Sequence, residues 1–290
     1  MDRLLLQQIS TSTLNHATKA KKPPADEARR LGADRDLNEQ TTNREGRDNL
    51  DDRAETPEEK CYPLLGEGYT AKIYRIPNSE RFIKLYPIEN EKHFLAEKAA
   101  YELLSANSPP PNIPTYYGTS SDFPLGMVLS RADRGDAYEY LYRARRMGPM
   151  PTKKDFYRWA KQAAQALDYA HSLHIMHADI HLLWDSDRKE RDEEGKKIDM
   201  QINARSEIFA LGSAIYHMVG GNDLWGGELE QKRDRDEIVR RLKAQEMPGT
   251  EELVCLGSVV KRCWAVEFAG MDDVVKAIED EEREDEQNDG

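Results

Sequence analysis

The sequence predicts an α+β protein of two lobes: a small antiparallel sheet with one main helix, then a larger and mostly helical part. Two patterns predict it. Between Tyr62 and Leu129 the apolar residues fall in short, partly alternating runs divided by glycine or proline, the signature of strands. From Asp136 onward the apolar residues recur at helical spacing over long segments. Strands grouped first and helices grouped after indicate two lobes rather than one layered sheet.

The first three strands are expected at Tyr62 to Leu65, Lys72 to Ile76 and Arg81 to Leu85, separated by glycines and by Pro77-Asn78-Ser79. A helix follows from Glu91 to Leu104, with Phe94, Leu95, Ala99, Leu103 and Leu104 as its apolar positions. Pro109-Pro110-Pro111 ends it, because proline lacks the donor that a helix needs. Two more strands are expected around Thr115 to Gly118 and Leu125 to Leu129. The strongest helix is Thr152 to His174, opened by a capping box of Thr152 and Asp155. Further helices are expected over Arg205 to Met218, Arg233 to Ala244, Glu251 to Arg262 and Met271 to Asp280.

Composition limits the function classes. The 290 residues are 38% hydrophobic and 33% charged, so the charge must be concentrated, and it collects at the two ends. Residues 1–60 are polar, and from Thr18 to Lys60 no aromatic residue occurs, so disorder is the expectation there. Residues 280–290 form an acidic tail, expected to fray from the preceding helix. Leu4-Leu5-Leu6 is too short for a secretory core or a membrane span. A net charge of −12 argues against a nucleic-acid binder and against docking on anionic membranes. Cys61, Cys255 and Cys263 are odd in number and lack Cys-x-x-Cys spacing, which suits a reducing compartment, cytoplasmic or nuclear.

Several residues carry chemistry. Gly66-Glu67-Gly68 lies between two strands and reads either as a turn that needs positive φ or as a backbone able to close over phosphates. Lys84, between Ile83 and Leu85, is either an edge-strand lysine reaching solvent or one half of a buried pair. Glu97, on the next helix, is either its partner or a surface residue pairing with nearby lysines. In His177-Ala178-Asp179-Ile180-His181, Asp179 suits a general base that orients a hydroxyl, although a His-x-Asp also serves metal binding or structure.

Taken in order, the glycine loop, strand lysine, helix glutamate, two strands, long helix and His-x-Asp resemble the eukaryotic protein kinase family. The likeness spans about Cys61 to Glu279, with an N-lobe at about 61–129 and a C-lobe at about 133–279. Ser206-Glu207-Ile208-Phe209-Ala210-Leu211-Gly212-Ser213 resembles the core helix of the family. Cys263-Trp264 with Met271-Asp272-Asp273-Val274-Val275 resembles its closing helices, and the wording is closest to fungal kinase-like proteins.

The resemblance implies a bilobal kinase-like fold and ATP-dependent phosphotransfer to a Ser or Thr hydroxyl of a protein, with ATP and Mg²⁺ as cofactors. It implies that Gly66, Gly68 and Ile73 cover the nucleotide, that Lys84 holds the α- and β-phosphates, and that Glu97 positions Lys84. Ser130 to Ala132 would contact adenine through backbone, with Leu129 at the back of the pocket and Asp136 on the ribose. Asp179 would be the catalytic base, and His181 stands where the family often has a lysine. A monomer with a protein substrate or binding partner is the corresponding expectation.

The chain also departs from the family. Five residues after Asp179 stands Trp184, where the family has a metal-binding Asn; an indole offers Mg²⁺ no oxygen. No Asp-Phe-Gly follows Asp179, and Asp199 is the nearest stand-in for a metal ligand. Seven residues separate Asp199 from Glu207, too few for an activation loop, and there is no Ala-Pro-Glu. Phe82 projects to the same side as Lys84, where the family keeps a small residue, and would crowd the adenine. The chain as written therefore reads as a catalytically impaired kinase relative. An active kinase relying on Asp199 and a non-catalytic scaffold are the alternatives. Two histories fit the short segment: degeneration, or a coding stretch lost between codons 182 and 204.

Overall fold

The computed structural model describes residues 62–132, 137–177, 180, 202–221, 224–225 and 235–288. The tail expected over residues 1–60 lies outside the described residues, as do Asp136, Asp179, His181, Trp184 and Asp199.

The fold is mixed α+β. Five strands, β1 (Leu64–Glu67), β2 (Lys72–Arg75), β3 (Arg81–Leu85), β4 (Tyr116–Thr119) and β5 (Gly126–Ser130), form one antiparallel sheet in the order β1-β2-β3-β5-β4. β3 is central: Lys84 lies opposite Ile73 on one side and Met127 on the other. Alternation along β3 sends Phe82 and Lys84 to one face. Phe82 is 3% exposed there and belongs to a core cluster with Met127 and Leu129, so its ring is committed to packing.

A short 3₁₀ turn (Ile88–Asn90) leads into α1 (Glu91–Ser105). The buried stripe of α1 is Phe94, Glu97, Ala100, Tyr101 and Leu104. This differs from the apolar positions in the sequence, since Leu95 and Leu103 are more than half exposed. A carboxylate holds a core position because the sheet supplies its partners.

Among the described residues the remaining helices are α2 (Ala137–Met147), α3 (Lys153–Ser172), α4 (Ala204–Gly220), α5 (Arg235–Lys243), α6 (Gly257–Trp264) and α7 (Met271–Asn288). α3 opens with the expected capping box, in which Thr152 Oγ1 accepts from Asp155 N and Asp155 Oδ2 accepts from Thr152 N. α3, α4, α6 and α7 surround the larger core cluster, which includes Leu167, Ile208, Leu211, Val260 and Val274. Ala170, near the end of α3, belongs to the cluster beneath the sheet, so this one helix touches both cores.

Two helix ends differ from expectation. α6 starts at Gly257 rather than Glu251, because Leu256 takes a left-handed φ of 63° that no helix interior accommodates. α6 lacks a side-chain cap of its own, and Glu281 of α7 accepts from Val259 N at 3.2 Å instead. α7, expected to run on from Glu279 as a solvated, fraying extension, stays helical to Asn288. Its acids meet α3: Asp285 accepts from Tyr157 Oη at 2.9 Å, and Glu282 accepts from Lys161 Nζ at 3.1 Å.

Candidate functional site

The clearest candidate site joins the middle of the sheet to α1. Lys84 Nζ donates to Glu97 Oε1 at 2.6 Å and to Oε2 at 2.8 Å. The Lys84 side chain is 14% exposed and that of Glu97 is 2% exposed. Because β3 is the central strand, Lys84 is no edge lysine. Nor is Glu97 a surface residue; the surface i,i+4 pair on α1 is Lys98–Glu102.

A third residue, which the sequence did not single out, completes the group. Tyr86 Oη donates to Glu97 Oε2, and its ring lies 5.5 Å from Lys84 Nζ. Burial, then the Glu97 charge and the hydrogen bond to it, push the Tyr86 phenol far above its ordinary value. Tyr101 is shifted upward by burial and then by Glu97. Both phenols therefore stay protonated and serve Glu97 as neutral neighbours. Tyr86 was legible in principle, since it stands two residues beyond Lys84 in sequence.

The glycine loop lies at the exposed edge of the same sheet. Gly66 pairs with Ile73 after a bulge in β1, and Gly68 N donates to Ala71 O at 2.9 Å. Neither glycine has positive φ, so the turn that follows β1 does not depend on glycine backbone freedom. A Cβ on Gly66 would meet nothing within 4 Å, and one on Gly68 would meet only Ala71 O at 3.5 Å. All four residues of β1 are exposed. Asn90 Nδ2 donates to Thr70 O at 3.0 Å, fastening the loop to the start of α1.

The segment after β5 is more closed. Ser130 is 7% exposed; its N–H bonds Thr115 O and its Oγ accepts from Thr115 N, both at 2.9 Å. Arg131 N donates to Glu80 O at 2.8 Å, and Ala132 is 5% exposed. Neither Ser130 nor Arg131 thus has a backbone donor left for a ligand. The structure brings together Lys84, Glu97 and Ile73, and sets the glycine loop along the same sheet. The expected base Asp179 with His181, the ribose contact Asp136 and the metal ligand Asp199 lie outside the described residues.

A second buried polar contact links two helices. His171 Nε2 of α3 lies 2.6 Å from Glu207 Oε2 of α4, with side chains 12% and 3% exposed. The sequence marked Glu207 but not its partner. An apolar cavity of about 110 Å³ lies between α1, α3 and α4, and neither Lys84 nor Glu97 lines it.

Other chemistries find little support among the described residues. Burial pushes the thiols of Cys255 and Cys263 up to about 12, so neither offers a thiolate nucleophile near neutral pH. No group of three or more His, Cys, Asp or Glu placed to hold a metal ion occurs among the described residues. No described helix is long and apolar enough to cross a membrane. No protein-family model matches the chain, and no curated protein matches it.

Proposed function

We propose that this chain is a bilobal relative of the eukaryotic protein kinases that holds a nucleotide without metal and has lost efficient phosphotransfer. The observation that carries the reading is the Lys84–Glu97 ion pair between a central strand and the following helix. In the family the resemblance points to, that pair aims a lysine at nucleotide phosphates. A second observation supports it: the protein's own packing requires no glycine at Gly66, and the space beside it is open. Backbone amides there are free of Cβ interference, which suits close approach by a phosphate.

The residues present do not fit a pair of Mg²⁺ ions. Trp184 replaces the Asn ligand, and no Asp-Phe-Gly follows Asp179. Phosphoryl transfer depends on metal to neutralise the developing charge, so the chemical step is where this chain is impaired. Phe82 fills the face where the family leaves room for adenine, which limits affinity. The resulting role is a binding module whose partner is a protein.

Incubation with γ-labelled ATP, Mg²⁺ and generic Ser/Thr protein acceptors tests the impairment. No transfer above a blank is expected. Transfer that disappears in both Asp179→Asn and Asp199→Ala would establish the active-kinase reading instead.

A further inference from the structure

We propose that the cavity between α1, α3 and α4 is a binding site for one small apolar molecule, a single hydrocarbon ring or a short alkyl group. This inference does not rest on the nucleotide reading, since neither Lys84 nor Glu97 lines the cavity, although Tyr101 lines it and stands beside Glu97.

The walls come from separate elements. Leu104 comes from α1, Ile113 from the loop after it, Ala163 and Leu167 from α3, and Leu211 and Ile215 from α4. All six are under 9% exposed, so the wall is part of the packed core and is preformed. Native interiors rarely leave a void much larger than a water molecule. At about 110 Å³ this space approaches the size of cavities that admit a benzene ring.

Polarity decides the class of ligand. A buried water needs two to four polar partners, and the surface of this cavity is mostly apolar. Asn112 Nδ2 donates to the carbonyl of Gln162. His177 Nε2 is shielded, with almost no surface open to the cavity. Trp159 Nε1 has no hydrogen-bond partner, but that atom is itself shielded, so the cavity meets the ring and not the N–H. A polar guest would give up its bonds to water and find few replacements on a mostly apolar wall, whereas an apolar guest loses nothing.

The test is a thermal-shift titration of the full chain with toluene, repeated with hydroquinone, a polar molecule of similar ring size. Toluene is expected to raise Tm saturably, by about 3–5 °C at a tenfold excess over its Kd. Hydroquinone is expected to leave Tm unchanged. Ala163→Leu, which fills the space, should abolish the toluene shift while keeping or raising its own Tm; Ala214→Leu takes its place if that variant does not fold. No toluene shift in the native chain, an equal shift with hydroquinone, or a shift that survives in the filled variant overturns the proposal.

Discussion

Glu97 Oε1 lies 2.6 Å from Lys84 Nζ, and Glu97 Oε2 also takes a hydrogen bond from Tyr86, all within a cluster of buried aromatic rings. Removing the lysine leaves a carboxylate that is 2% exposed without its countercharge. Lys84→Met is therefore expected to lose about 3–5 kcal/mol in urea unfolding. Lys84→Met with Glu97→Leu removes both charges and should recover most of that loss. A double variant as unstable as Lys84→Met alone contradicts this account of the pair.

Two glycines should respond differently to one added methyl. At Gly212 a Cβ would stand 2.5 Å from Cys263 Cβ, at the contact between α4 and α6. Gly212→Ala is expected to destabilise by about 1–3 kcal/mol. At Gly66 a Cβ meets nothing within 4 Å, so Gly66→Ala should stay within about 0.5 kcal/mol of the native chain. Chemical denaturation of the two variants side by side checks the contrast.

Gly221 ends α4 with φ 76°, and a Cβ there would overlap the guanidinium of Arg145. That guanidinium donates to Met218 O at 3.1 Å, capping the helix from α2. Gly221→Ala is expected to cost more than about 1 kcal/mol. Adding Arg145→Ala should relieve the overlap but not the backbone strain. Full recovery in the double variant would show the strain to be unimportant.

Glu281 carries a pH signature. Burial first, with Asp285 and Glu284 adding to it, raises its carboxyl above the ordinary value, against the lowering effect of the Val259 and Leu256 amides. A raised folded-state pKa favours the protonated form. Its contribution is thus fully present below about pH 4.5 and lost as pH rises through the folded value. Glu281→Gln keeps an acceptor for Val259 N and removes the charge. It should equal the native chain near pH 4 and exceed its stability at pH 7, as read by denaturation at both values.

Local rules carried much of the architecture. The Thr152–Asp155 capping box and the order of the strands were legible because each depends on neighbours in sequence. Where distant residues decide, sequence reading gave out. Leu256 adopts positive φ within the packed core, which periodicity does not encode. The acids of α7 stay helical because Tyr157 and Lys161 of α3, more than a hundred residues earlier, accommodate them. The face of α1 was misread for a related reason: its buried stripe contains Glu97, whose place depends on Lys84 and Tyr86. At the candidate site the lysine and glutamate were read from the sequence; Tyr86 was passed over, although its place two residues beyond Lys84 pointed to it. Asp179, His181, Asp136 and Asp199 fall outside the described residues, so their part rests on the sequence.

The central claim, nucleotide binding without metal, is tested most directly by a thermal-shift titration with ATP in EDTA and again in Mg²⁺. A saturable rise in Tm in EDTA that Mg²⁺ does not enlarge is the expected result. No shift in either condition, or a shift that requires Mg²⁺ and disappears in Asp199→Ala, contradicts it.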